Sequence, residues 1–229
     1  MDRLAQKNRE KVIDLLMERL SFERAGVKLY DKVLERMRES SGARSGRHGD
    51  GDYTTYGLSG YRAGDVDRGV HEDLDREQGG IAHPDRERER EERVVAEMLP
   101  LVEKIRAQEK EHEEWLKSSI RRLGGDDKRM TEMANVTARE AAGIEKVVMK
   151  DPQLPHLFHA LLAAEHVDTA GWDLLLVLAG EAGDGAAEEE FRKRLQEEER
   201  HLAFLREALR TFSAHEVLGE ELHSPTPPV

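Results

Sequence analysis

Two glutamate–histidine pairs in the chain have a spacing that suits metal binding: Glu109 and His112 in QEKEHEEWL, and Glu198 and His201 in EEERHLAFL. Residues three apart on a helix point to the same side, so each pair can offer a carboxylate and an imidazole to one point. The chain has no cysteine, so any metal must be held by such oxygen and nitrogen donors, which suit iron, manganese or zinc. Spacing alone carries little weight in a chain this rich in glutamate. A third Glu-x-x-His, Glu220/His223, falls in the C-terminal tail and is read as chance.

Position carries more. A packed helix buries residues that alternate three and four apart. Around the first pair this seam reads Val95, Met98, Val102, Ile105, Glu109, His112, Leu116, Ser119, Leu123. Around the second it reads Phe191, Leu195, Glu198, Leu202, Leu205, Leu209, Phe212, with His201 one residue to the side. Two other segments show the same interruption. One reads Ile13, Leu16, Leu20, Glu23, Val27, Tyr30, Leu34, Met37, and the other Leu154, Phe158, Leu161, Glu165, Asp168, Trp172, Leu175, Ala179.

An ionised carboxylate in an apolar interior costs several kcal/mol unless it is paired or binds a cation. Four at one level would also repel one another. No Lys or Arg falls on these seams near them. Two divalent cations would balance four carboxylates and two neutral imidazoles. The expected metal ligands are therefore Glu23, Glu109, His112, Glu165, Glu198 and His201. The competing reading is a polar layer bonded by arginines from neighbouring helices. Asp168 is either an additional ligand or an acceptor that fixes an imidazole N–H. Tyr30 packs in the core or bonds a ligand carboxylate. Glu140, on the stripe Met133, Val136, Glu140, Ile144, Val147, lies away from this level and is expected at the surface or in a salt bridge. His156, His159 and His166 miss the seam and are expected on the surface or between helices.

These residues need long helices to position them. Helical periodicity runs from about Asp2 to Glu39, from Pro84 to Leu123, from near Pro155 to Gly180, and from Ala186 to Thr211. A shorter helix is expected in the crossover between the second and third. The segment 42–83 holds ten of the nineteen glycines and Tyr53, Tyr56 and Tyr61, and is expected to be a flexible insertion in which His48, His71 and His83 are solvated. The expected organisation is a four-helix bundle over 1–213 and an extended tail over 214–229. A short link between the last two helices makes them antiparallel neighbours, and the crossover lets the third run parallel to the second, giving an up-down-down-up order.

Charged residues make up 37% of the chain and aromatics 5%, which favours an all-α class. A formal net charge of −12 argues against a nucleic-acid partner. No apolar run approaches the length of about 18 residues that spans a bilayer. The N-terminus MDRLAQKNREK lacks a signal peptide's apolar stretch, so a cytoplasmic location is expected.

The order Glu, Glu-x-x-His, Glu, Glu-x-x-His resembles the ferritin-like superfamily of dimetal carboxylate proteins, closer to rubrerythrin-type domains than to cage ferritins. ERAGVKLY around Glu23, EKEHEEWL around Glu109 and EEERHLAFL around Glu198 carry the resemblance. It implies Glu23 and Glu165 as terminal ligands, Glu109 and Glu198 as bridges, and His112 and His201 on one metal each. It also implies two iron ions, or two manganese ions as in a dimanganese catalase, and oxidation of Fe(II) by O2 or H2O2 in iron handling or peroxide removal. Without cysteine there is no rubredoxin module, so electrons would come from an external donor or from Fe(II) itself. A homodimer is compatible with this reading. The alternative from another class is a metal-free helical protein that binds a partner.

Overall fold

The computed structural model describes residues 1–41, 84–150 and 153–225. Among them are five helices and no strand: α1 (Asp2–Ser40), α2 (Pro84–Arg122), α3 (Glu132–Lys150), α4 (Leu154–Glu181) and α5 (Gly185–Leu218). The all-α class expected from composition is therefore observed. The insertion at 42–83, with its tyrosines and histidines, lies outside the described residues, as does the end of the tail from 226.

Local chemistry accounts for the helix limits. Asn8 leaves helical geometry inside α1 (φ −163°, ψ 89°), and its Oδ1 accepts the Lys11 N–H at 3.1 Å, capping the longer part of the helix. Pro100 sits within α2, but it and Ala96 face solvent, so the carbonyl that loses its intrahelical partner lies on the wet side. Gly124, with φ +79°, turns the chain at the end of α2. Asp184 caps α5 by accepting the Ala187 N–H at 3.2 Å, and it accepts the Leu4 N–H of α1 at 3.0 Å. Helix α5 runs to Leu218, beyond the expected boundary at 213, and Leu222 after it is buried.

Four of the helices share one interior. Helices α1 and α2 are antiparallel, joined by Arg24–Glu113, Asp31–Arg106 and Arg38–Glu103. Helices α4 and α5 are antiparallel through Phe158–Phe212, His166–Arg206 and Trp172–Phe191. Helix α1 runs against α4, and α2 against α5, as the pairs Glu23–Trp172, Tyr30–Glu165, Gln108–His201 and His112–Glu197 require. Helix α3 packs on α1 and α4 through Ala134, Thr137, Ala141 and Val148. Its stripe Met133, Val136, Val147 faces outward and Glu140 is exposed with it. No helix among the described residues is long and apolar enough to cross a membrane.

The interior is apolar at both ends. One cluster contains Phe22, Tyr30, Val33, Ile105, Leu161 and Leu205. The other contains Leu16, Leu20, Leu116, Ile120, Trp172 and Phe191. Between them, at one level, lie Glu23, Glu109, His112, Glu165, Asp168, Glu198 and His201, none more than 3% exposed.

Candidate metal centre

Helix α1 contributes Glu23, α2 Glu109 and His112, α4 Glu165, and α5 Glu198 and His201. The six form two overlapping groups. Glu23, Glu109, His112 and Glu198 can each place one donor atom so that all lie within 4.8 Å of one another, and so can Glu109, Glu165, Glu198 and His201. Glu109 and Glu198 belong to both groups. The other four divide by helix, one glutamate and one histidine to each group. All six expected ligands are thus brought together.

The inward phase of α5 differs from the seam read in the sequence. Leu195 and Leu209 are only half-buried, whereas His201, Phe204 and Ala208 are buried. The true inward row passes through Glu198, His201, Leu205, Ala208 and Phe212. His201 therefore points into the interior and does not merely flank it.

Each imidazole is held from behind. His112 Nε2 lies 2.8 Å from Glu197 Oε2, and His201 Nε2 lies 3.1 Å from Gln108 Oε1. Acceptance by these oxygens places a proton on each outer nitrogen and turns Nδ1 toward the acids. His112 Nδ1 is 2.8 Å from Glu198 Oε1 and 3.7 Å from Glu23 Oε1. His201 Nδ1 is 3.2 Å from both Glu109 Oε1 and Glu198 Oε2, and 3.4 Å from Glu165 Oε2.

Several of these atoms are close without being aligned for hydrogen bonds. Glu23 Oε2, Glu109 Oε1, His112 Nδ1, Glu165 Oε2 and Glu198 Oε1 are buried and have no hydrogen-bond partner. Buried polar atoms in folded proteins are rarely left so. These five belong to five of the six candidate ligands. Among the described residues, no Lys or Arg forms an ion pair with Glu23, Glu109, Glu165 or Glu198. The competing reading of an arginine-bonded layer fits Asp168 alone.

No family model, curated protein or solved structure matches this chain.

Burial, reinforced by the neighbouring acids, pushes Glu23, Glu109 and Glu198 well above the usual carboxylate range. Burial pushes Glu165 the same way, but the close approach of His201 and Glu198 and the Tyr30 hydroxyl bond outweigh it and leave this group below its ordinary value. Burial opposes the charge on His201, yet Glu198 and the contacts with Glu109 and Glu165 raise it well above an ordinary imidazole. Glu23, Glu109 and Glu198 thus favour their protonated forms, and His201 its charged form.

The surrounding residues orient the acids. Tyr30 Oη donates to Glu165 Oε1 at 2.5 Å, so it bonds a candidate ligand carboxylate as well as packing in the core. Trp172 Nε1 donates to Glu23 Oε1 at 2.9 Å. Asp168 fixes no imidazole. Arg19 Nη1 donates to its Oδ1 at 2.5 Å and to its backbone oxygen at 3.0 Å, and Asp168 joins neither candidate group. Burial raises the Asp168 carboxyl to about 6 against the opposing pull of Arg19.

Sequence reading missed Arg19, Gln108, Glu197, Gly26 and Gly171. Arg19 lies one residue off the inward row, yet it is 2% exposed because its guanidinium lies over Gly171, where a Cβ would collide with it. A Cβ on Gly26 would stand 2.7 Å from Glu109 Oε2. Gln108 and Glu197 did carry a signal: each immediately precedes the glutamate of a Glu-x-x-His pair. His156, His159 and His166 lie on the exposed face of α4, away from the site.

Proposed function

We propose that this acid layer holds two divalent metal ions, as in the ferritin-like, rubrerythrin-type four-helix bundles that the sequence resembles. We propose iron as the resident metal, with oxidation of Fe(II) by O2 or H2O2 as the activity. The observation that carries the reading is the set of five unpartnered donor atoms, distributed over two groups that share Glu109 and Glu198. A buried polar atom without a partner costs about 1–3 kcal/mol, and more if charged. Two cations would relieve all five. Four carboxylates and two neutral imidazoles balance two divalent charges, and carboxylate with imidazole suits iron and, as the alternative, manganese.

Glu23 and His112 would hold one metal, Glu165 and His201 the other, with Glu109 and Glu198 between them. When bound, the pair supplies the two electrons that reduce H2O2, with two protons, to two waters. The protein does the rest. Glu197 and Gln108 fix the imidazole orientation. Tyr30 and Trp172 each occupy one oxygen of a terminal glutamate and leave the other for metal. Glu23, Glu109, Glu198 and His201 release protons as cations arrive, so uptake is coupled to proton release. The apolar clusters above and below keep bulk water from the layer.

The test is anaerobic titration with Fe(II), followed by separate challenges with O2 and H2O2. Uptake of two ions per chain is expected, with near-UV absorption appearing on oxidation. Glu109→Ala and Glu198→Ala should each abolish both. A folded protein that takes up neither Fe(II) nor Mn(II) in stoichiometric amounts would refute the reading and favour a metal-free partner-binding role.

A further inference from the structure

The two halves of the layer are related by a near-symmetry that fails most clearly behind the histidines. The residue before each motif glutamate braces the histidine of the opposite helix: Gln108 of α2 reaches His201 of α5, and Glu197 of α5 reaches His112 of α2. One brace is a neutral amide at 3.1 Å. The other is a carboxylate at 2.8 Å. In ligand type the two sides otherwise correspond, with one terminal glutamate and one inward Nδ1 on each and two glutamates shared.

A hydrogen bond from an imidazole N–H to a carboxylate draws the proton outward and makes the opposite nitrogen a stronger donor than a bond to an amide does. The carboxylate also adds a negative charge close to the metal position it serves. Glu197 is partly open to solvent, with its side chain 14% exposed, and Lys193 and Arg194 stand near it, so its charge is moderated but not cancelled by a direct ion pair. The terminal glutamates strengthen the asymmetry. Glu165 shares its charge with the short Tyr30 hydroxyl bond, whereas Glu23 receives the longer bond from Trp172.

We propose that the two metal positions are unequal by construction: the position at Glu23 and His112 binds a divalent cation first and more tightly, and the identities of residues 197 and 108 set the order. The inference rests on the dimetal reading above. It assigns Glu197 and Gln108 as positioning residues that act through the imidazoles.

Co(II) is a suitable probe, because its visible absorption reports its coordination and its uptake can be followed by calorimetry without any turnover. The unmodified protein should bind Co(II) in two steps whose Kd values differ by about tenfold or more. Glu197→Gln should weaken the first step by about tenfold and bring the two together. Gln108→Glu should tighten the second step and leave the first nearly unchanged. A purely structural role for these residues would not move the two steps in opposite directions. Should Glu197→Gln fail to fold, Gln108→Glu still decides the matter. Two equal steps in the unmodified protein, or a step separation that neither substitution changes, would overturn the inference while leaving the dimetal reading intact. No Co(II) uptake by the folded, unmodified protein would bring down both.

Discussion

Gly26 and Tyr30 act on the layer from α1 in opposite senses, one by making room and the other by making a bond. Gly26→Ala should stabilise the helix by up to about 1 kcal/mol through propensity alone, yet its methyl would push Glu109 out of both candidate groups. The expected outcome is a metal-free thermal midpoint that is unchanged or raised, with Co(II) affinity lowered about tenfold or more. Tyr30→Phe should cost about 1–3 kcal/mol of metal-free stability, measured by denaturant titration, because it strips Glu165 of a buried donor. The four glutamates and His112 stood out in the sequence because a polar group on an apolar row is a visible contradiction, and His201 through its spacing from Glu198. Gly26, Gln108 and Glu197 were harder to read. Their roles depend on what faces them across a helix pair, and periodicity states only which side of a helix points inward.

Element pairing explains the Arg19–Asp168 contact. Helix α1 can lay a guanidinium against α4 only where α4 lacks a Cβ, at Gly171. Gly171→Ala should expel Arg19 and leave Asp168 buried without its partner, at a cost of about 3–5 kcal/mol. Urea unfolding of the metal-free protein measures this. Arg19→Met should cost a similar amount, and Arg19→Met with Asp168→Leu should recover most of it. The helices themselves were read within a few residues, except the end of α5, which runs seven residues past Thr211, since apolar rows, proline openings and glycine ends are local signals. The phase of α5 was misread around Leu202 because Leu195, Leu202 and Leu209 also form a plausible row. Only the packing of Phe204 and Ala208 against the other helices selects the row through His201. The outward face of α3 was likewise indistinguishable, in sequence, from a buried one.

Over the whole molecule, the layer ties stability to pH and to metal. Glu23, Glu109 and Glu198 hold protons more tightly folded than unfolded, and so do Asp168, at about 6, and His201. Groups raised by folding contribute stability that is full below their unfolded values and is lost as pH rises through the folded ones. Glu165 contributes with the opposite sign, but it is one group against five. The thermal midpoint of the metal-free protein should therefore fall as pH increases from about 5 to 8. Saturating metal should reverse the slope, because bound cations favour the deprotonated ligands. A metal-free midpoint that rises over this range would count against the burial of these acids as protonated groups.

The placement of that layer between two apolar clusters also reverses the usual pattern of helix fraying. Helices ordinarily open from their ends, where hydrogen bonds are fewest. Here the ends are clamped in hydrocarbon and the layer of buried acids sits at the waist. In the cation-free protein, amide hydrogen exchange should be faster around Glu23, Glu109, Glu165 and Glu198 than in the flanking turns, and added Co(II) should slow it there first. The ions would then act as a rivet through the middle of the molecule, between its two half-cores.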